Sequence, residues 1–100
     1  MAAEVVWLDD AKDDLLSILE FISRDKPKAA AAYVGAISQQ CHILADFPES
    51  GPAYDSSYRA LVVEKHIVLY RYDRQADTVL IAAVVHGRRD IARIVAKLPH

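Results

Sequence analysis

The spacing of hydrophobic residues changes near the middle of the chain. Between residues 9 and 47, apolar side chains recur every three or four positions, which is the spacing of one helical face. From residue 58 to residue 85 they alternate with polar residues or follow one another directly, as they do in strands. A short apolar run at residues 3–8 precedes the helical part. The pattern therefore predicts one strand, then helices, then several strands.

The helical part divides into two helices. Asp9 or Asp10 can cap the first helix. The apolar stripe of this helix consists of Ala11, Leu15, Ile18, Leu19 and Ile22. Residues 24–26 interrupt the pattern, and Pro27 suits the first position of a second helix. Because the joint between the two helices is short, it predicts an antiparallel αα-hairpin. Cys41 falls on the apolar side of the second helix, which favours a small core residue over a nucleophile.

Two large apolar residues of the first helix lie away from its stripe. Leu16 and Phe21 fall on opposite flanks of the helix. They are either the edges of a wide buried stripe or a surface that awaits another chain.

Three strands are predicted in the second half, at residues 58–63, 65–72 and 78–85. The joints between them are short, which favours antiparallel hairpins. The last two strands are apolar on adjacent as well as alternate positions, so both are expected to be central and covered on both faces.

The elements combine into one predicted domain. The strand at residues 3–8 should join the sheet at an edge, and residues 90–97 look like a short amphipathic helix. We therefore predict one α+β domain over residues 1–100. It is an antiparallel sheet of about four strands (β-α-α-β-β-β), with the αα-hairpin packed on one face and a short C-terminal helix.

Composition narrows the class of protein. Apolar residues make up 53% of the 100 residues and charged residues 26%, as in a globular domain. No apolar run approaches the ~20 residues that span a bilayer, and no secretory signal is evident. The single cysteine cannot form an internal disulfide. We therefore expect a cytoplasmic protein without a membrane partner.

The net charge of −2 is unevenly distributed. Residues 1–55 contain four basic and ten acidic residues, a net of −6, whereas residues 56–100 contain eight basic and four acidic residues, a net of +4. Either the second half presents a cationic surface that attracts an anionic partner, or the acidic helices and the basic sheet edge attract one another.

Common catalytic and cofactor motifs are missing from the sequence. The histidines lack metal-site spacing, and there is no glycine-rich phosphate loop or G-x-S-x-G elbow. The acidic residues at positions 9, 10, 13 and 14 are explained by the helix dipole. We expect no metal and no cofactor.

Cation donors cluster around the strands. Arg59 opens one strand, Arg71 lies within the next, and His86, Arg88 and Arg89 follow the last strand. Rigid elements that present several charged groups together can hold a partner. RNA cleavage by the 2′-hydroxyl would also need an acid and a base, and only His86 is evident. The cluster fits an RNA-cleaving site, a protein-docking site or a solvated helix start.

The order of residues resembles the RelE/ParE toxin superfamily of bacterial type II toxin–antitoxin modules, over nearly the whole chain. The matching positions in the first half are Trp7, Leu8, Ala11, Asp14, Leu15, Ile18, Phe21, Ile22, Pro27, Ala29, Ala30, Leu44, Pro48 and Gly51. Those in the second half are Arg59, Leu61, residues 67–71, Ile81 and residues 84–90.

The resemblance implies two activities. RelE-like members cut messenger RNA in the ribosomal A site, and ParE-like members poison DNA gyrase without the cleavage set. The cleaving branch usually has lysines or acids in the second helix and the loop after it, and a tyrosine or histidine near the C-terminus. Here residues 90–98 contain no tyrosine and His100 stands at the end. Residues 84–90 look more like the ParE branch.

The resemblance therefore favours a ParE-like toxin that inhibits gyrase by binding, with no catalytic residue. Its target-binding residues would be Arg59, Arg71, His86, Arg88 and Arg89, and the four arginines are expected to form one basic end of the sheet. A ParD-like antitoxin would neutralise it through Leu16, Phe21, Arg71 and Arg88, and operator DNA would be bound only through the antitoxin. The alternatives are a ribosome-dependent mRNA endoribonuclease and a diverged member that serves mainly in antitoxin binding.

Overall fold

The fold is a four-stranded sheet with helices on both faces. A computed structural model describes residues 2–100. The elements are β1 (Glu4–Trp7), α1 (Asp9–Ser23), α2 (Pro27–Ile43), β2 (Arg59–Val63), β3 (His66–Asp73), β4 (Thr78–His86) and α3 (Ile91–Ala96). The strand order is β1-β4-β3-β2. This arrangement confirms the predicted α+β class, the αα-hairpin, the C-terminal helix and the edge position of the first strand.

The sheet is mixed and not wholly antiparallel, which corrects one part of the prediction. β2, β3 and β4 are antiparallel, but β1 runs parallel to β4. The main-chain N–H of Leu8 donates to the carbonyl of Ile81 over 2.9 Å at the end of this pair. Short joints dictate the direction of β2 to β4 only. The direction of β1 depends instead on how the helical hairpin packs, which the apolar pattern does not encode.

Two of the three helices begin where the sequence predicts. α2 begins at Pro27 and α3 at Ile91, where the Asp90 carboxylate accepts from the Arg93 N–H over 3.1 Å. The predicted cap of α1 is wrong, because its N-cap residue is Leu8 and no side chain caps it. Asp9 and Asp10 lie in the first turn instead, where carboxylates stabilise the helix dipole.

Two apolar layers cover the central strands β3 and β4, as predicted. The larger layer lies under the αα-hairpin and contains Ala11, Ile37, Cys41, Val68, Tyr70, Val79 and Ile81. The smaller layer lies under α3 and contains Tyr58, Leu69, Ala82, Ala83, Val85 and Val95. Cys41 is fully buried, and burial raises the pKa of its thiol to about 12. It is therefore the core residue that the sequence predicts.

A bulge interrupts the pairing of β3 with β4. Leu69 pairs with Ala83 but Tyr70 pairs with Ile81, so Ala82 has no partner on β3. An extra residue in one strand shifts the faces of the residues beyond it. The bulge therefore decides which side chains of β4 meet the start of β3.

Leu16 and Phe21 are exposed to solvent. Their exposed fractions are 55% and 72%, so neither is the edge of a buried stripe.

No helix among residues 2–100 is long and apolar enough to cross a membrane.

Candidate functional site

The predicted cation cluster is divided between the two ends of the sheet. Arg59 pairs with Tyr70 beside Arg71, whereas His86 pairs with His66 at the start of β3. Four to five residues of strand separate the two groups, which is roughly 15 Å. The expectation of a single basic sheet end is therefore wrong. β2 and β4 are both antiparallel to β3 and so run in the same direction, which places Arg59 at the start of β2 and His86 at the end of β4 on opposite ends of the sheet.

The first group forms a small pocket, which we call the arginine pocket. It has a volume of about 150 Å³ and is lined by Glu49, Asp55, Tyr58, Arg59, Arg71 and Arg74, among others. The guanidinium group of Arg59 is hydrogen-bonded to the loop at residues 49–51. Its Nη1 donates to the carbonyl oxygens of Glu49 (3.1 Å) and Gly51 (2.8 Å), and its Nη2 donates to the Glu49 carboxylate (3.1 Å). Arg59 thus positions residues 49–51.

The other two arginines of the pocket differ in their partners. Nη2 of Arg74 donates to both carboxylate oxygens of Glu49, over 2.9 and 2.7 Å. Arg71 is exposed and makes no ion pair or side-chain hydrogen bond with any residue from 2 to 100. Arg71 therefore has its donors available for a partner.

The C-terminal residues lie beside this pocket. The Tyr58 hydroxyl donates to the Pro99 carbonyl over 2.6 Å, and Nε2 of His100 lies 3.2 Å from the Asp55 carboxylate. Nδ1 of His100 contacts the Leu98 carbonyl over 2.8 Å, and since a carbonyl only accepts, Nδ1 carries a hydrogen. The hydrogen bond that Nε2 of His100 donates to the Asp55 carboxylate raises the pKa of His100, so its charged form is favoured.

The second group borders a larger groove, which we call the histidine groove. It has a volume of about 680 Å³ and lies between α1, α2 and the paired ends of β3 and β4. Its apolar wall consists of Ile18, Phe21, Ile22, Val84 and Val85. Its polar wall consists of Asp14, Ser17, Tyr33, Lys65, His66, His86 and Arg89. The groove thus joins an exposed apolar surface to a set of cation donors.

Two histidines meet at the end of this groove. The rings of His66 and His86 stand edge to face with centroids 5.2 Å apart. The Arg88 N–H donates to Nδ1 of His86 over 3.1 Å, so neutral His86 carries its hydrogen on Nε2. Nδ1 of His66 lies 2.6 Å from the Tyr33 hydroxyl, which accepts from the Lys65 N–H. Burial, with His86 nearby, lowers the pKa of His66 and favours its neutral form.

Asp14 has a role that the sequence did not indicate. β1 pairs with β4 only as far as Ile81, so the β4 edge beyond that point is open. The Asp14 carboxylate accepts from the Val84 N–H on this edge over 2.9 Å. Burial raises the pKa of Asp14, against the opposing effect of the Val84 N–H. Asp14 therefore satisfies a strand donor as well as adding charge to the helix.

The structure brings together residues that sequence reasoning missed. His66 and Tyr33 join His86 in the histidine groove, and Glu49 and Arg74 join Arg59 and Arg71 in the arginine pocket. A bulge-free hairpin would pair His66 with Val85, so only the extra residue in β4 reveals the histidine pair. Among residues 2–100, no three His, Cys, Asp or Glu side chains are placed to hold a metal ion.

Fold and surface together define a small α+β domain. Its sheet is backed by an αα-hairpin, and cation donors occupy both sheet ends. The chain belongs to the family of ParE toxins of the type II toxin–antitoxin system parDE, whose family model matches residues 5–91. No curated protein sequence matches the chain.

Solved structures of similar fold include toxins of two kinds. The chromosomal ParDE system from P. aeruginosa superposes with a TM-score of 0.74 and 20% identity, covering 85% of this chain and 96% of that chain. The RelBE2 toxin–antitoxin complex from Mycobacterium tuberculosis gives 0.62 and 21%, with coverages of 86% and 99%. A double mutant of E. coli toxin RelE in the free state gives 0.71 and 8%, with coverages of 98% and 100%. The protein is a type II toxin of the ParE/RelE fold.

Proposed function

We propose that this protein is a ParE-like toxin that inhibits DNA gyrase by binding it and that is neutralised by a ParD-like antitoxin. The observation that carries the proposal is the match to the ParE toxin family over residues 5–91. A chromosomal ParDE system shares this fold at 20% identity. On this proposal the toxin acts through its surface and needs no catalytic residue.

The gyrase contact is proposed to involve the exposed cation donors. Arg71, Arg88 and Arg89 are exposed and form no ion pair within residues 2–100. His86 lies beside Arg88, to which it is hydrogen-bonded. Arg59 contributes indirectly, because its donors already hold the loop at residues 49–51. Contacts at both sheet ends would require a target surface that spans at least ~15 Å.

The antitoxin is proposed to place an amphipathic helix along the αα-hairpin. Phe21 lines the histidine groove, which lies near Arg88 and Arg89 and suits an apolar residue followed by a carboxylate. Leu16 lines a separate groove of about 330 Å³ between α1 and α2. Because Arg71 lies at the other sheet end, an antitoxin that reaches Leu16, Phe21 and Arg71 has to wrap around the toxin.

A supercoiling assay with purified gyrase tests the target. The toxin should block supercoiling, and equimolar product of the adjacent antitoxin gene should restore it. An R71A/R88A/R89A variant should lose the inhibition, whereas R24A, which removes an exposed arginine at the hairpin joint, should keep it. Normal supercoiling at a large excess of toxin would contradict the proposal.

One observation favours a second candidate, a ribosome-dependent mRNA endoribonuclease. The arginine pocket combines an acid of the loop after α2, Glu49, with Arg59 and Arg71, and His100 lies beside it through Asp55. Residues of these types in these places are what the resemblance implies for the cleaving branch. Primer extension on messages from induced cells would show new 5′ ends that disappear in R71A. Intact messages during growth arrest would exclude this candidate.

A further inference from the structure

The arginine pocket already contains an anion supplied by the protein itself. The Glu49 carboxylate lies between Arg59 and Arg74, with N···O distances of 2.7 to 3.1 Å to the two guanidinium groups. Arg71 lines the same pocket and has no anionic partner among residues 2–100. Three arginines therefore line one pocket, and only two of them contact the single carboxylate of Glu49.

The donors of this pocket suit a phosphate group. Guanidinium groups bind the oxygens of carboxylates and phosphates with the same donor geometry, and a phosphate offers more oxygens than a carboxylate. The volume of about 150 Å³ corresponds to roughly five water molecules. That space accepts a phosphate group, whereas an attached sugar and base would extend into solvent along the exposed rim.

We propose that the arginine pocket binds a phosphate group of a nucleic-acid backbone. The Glu49 carboxylate occupies the pocket when no ligand is bound and so competes with the phosphate. The inference rests on the proposed function only for the source of the phosphate, which is DNA held by gyrase or messenger RNA held by the ribosome. Glu49 thus keeps the affinity of the free toxin for unrelated nucleic acid low.

The competition does not require the loop to unfold. Nη1 of Arg59 holds the loop through the carbonyls of Glu49 and Gly51, and the Gly51 N–H donates to the Tyr70 hydroxyl over 3.0 Å. These bonds use main-chain atoms of the loop, so the carboxylate of Glu49 can leave the pocket while they stay in place. The Glu49 side chain is 42% exposed, which leaves it room to do so.

The test compares the wild-type chain with charge-matched variants. Fluorescence anisotropy at low salt would measure binding of labelled single-stranded DNA and RNA octamers, with inorganic phosphate and a glutamate-rich peptide as competitors. E49Q should tighten oligonucleotide binding roughly three- to tenfold, because it removes the competing charge. E20Q removes the same charge from an exposed position of α1 and should have little effect. E49D, which keeps the charge on a shorter side chain, should give a smaller gain.

Arginine variants show whether the ligand occupies this pocket. R71Q should weaken binding by at least about fivefold in both the wild type and E49Q, whereas R24Q should not. The octamer that binds more tightly identifies DNA or RNA as the source. Any of three results would overturn the inference. E49Q and the wild type could bind the octamers with equal affinity, E49Q and E20Q could increase the affinity equally, or the peptide but not phosphate could displace the octamers. If E49Q binds the octamers more tightly but the toxin does not inhibit gyrase, only the proposed function is overturned.

Discussion

Gly51 lies directly against the ring of Tyr70, which is fully buried. A Cβ atom at this position would lie 2.7 Å from the hydroxyl oxygen and 2.9 Å from a ring carbon of Tyr70. Neither the ring nor the loop can move freely, because Tyr70 belongs to the core and Arg59 holds the loop. Glycine is therefore needed here for space.

A pair of alanine substitutions tests this role of Gly51. G51A should destabilise the protein by about 1–3 kcal/mol through overpacking. G35A is the matched control, since Gly35 lies in α2 with nothing within 4 Å of a Cβ, and it should stabilise by about 0.5–1 kcal/mol. Urea denaturation measures both values, and a G51A protein as stable as the wild type would contradict the steric argument.

The depressed pKa of His66 predicts a pH dependence of stability. Its pKa lies below the ordinary value of 6.5 in the folded protein, so the unfolded chain binds more protons just below that pH. Stability is therefore full above about pH 6.5 and falls as the pH decreases toward the folded pKa. Urea midpoints at about pH 7.5 and about pH 5.5 should differ less in H66Q than in the wild type.

The control for this measurement is another histidine. His42 is an exposed residue of α2, so H42Q should keep the pH dependence of the wild type. An equal loss in H66Q and H42Q would mean that the burial of His66 does not cause the effect.

At the scale of elements, the open edge of β4 depends on a side chain of α1. β1 ends at Trp7, and the Val84 N–H beyond it is satisfied by Asp14. D14A should cost about 1–3 kcal/mol, because it leaves a partly buried donor without an acceptor. D13A removes an exposed carboxylate from the same turn and should cost little. Amide hydrogen exchange at Val84 should accelerate in D14A alone; unchanged protection would show that the bond is dispensable.

Elements linked by short joints could be predicted from the sequence, and distant pairings could not. The joint at residues 74–77 allows little except an antiparallel hairpin of β3 and β4, and the apolar runs of these strands indicate that both faces are covered. The direction of β1 and the contact of Asp14 with Val84 connect residues far apart in sequence. No local pattern carries that information, because hairpin packing determines it.

The candidate site was predictable only in part for the same reason. Arginines and His86 were identifiable by type, but assigning them to one sheet end ignored the alternating strand directions. Glu49 reaches Arg74 across 25 positions and Tyr33 reaches His66 across 33, so each needs the tertiary fold. The predicted hairpins alternate in direction, so the start of one strand and the end of the strand two places later lie at opposite ends of the sheet. This rule alone separates Arg59 from His86 without a structure.

At the scale of the whole molecule, the antitoxin proposal depends on the exposed Phe21. Burying a phenylalanine side chain is worth about 1.5–3 kcal/mol. F21S should therefore weaken binding of the adjacent gene product roughly 10- to 100-fold. It should leave the folded toxin intact, because 72% of Phe21 is exposed. Isothermal titration calorimetry measures the affinity.

The matched control is Phe47, which is 63% exposed and lies outside both grooves. F47S should bind the antitoxin as the wild type does. If F21S and F47S bound equally well, the histidine groove would not be the site of the antitoxin helix.

The extra residue at Ala82 also governs how relatives of this protein should be compared. A relative that lacks one residue within β4 has not lost a loop position; it presents the opposite set of side chains beyond that point. If a sequence alignment places the gap in the neighbouring turn, it aligns His86 with residues whose side chains point to the other side of the sheet. Gap placement at position 82 thus determines whether divergent toxins are judged to share this histidine pair or to have replaced it.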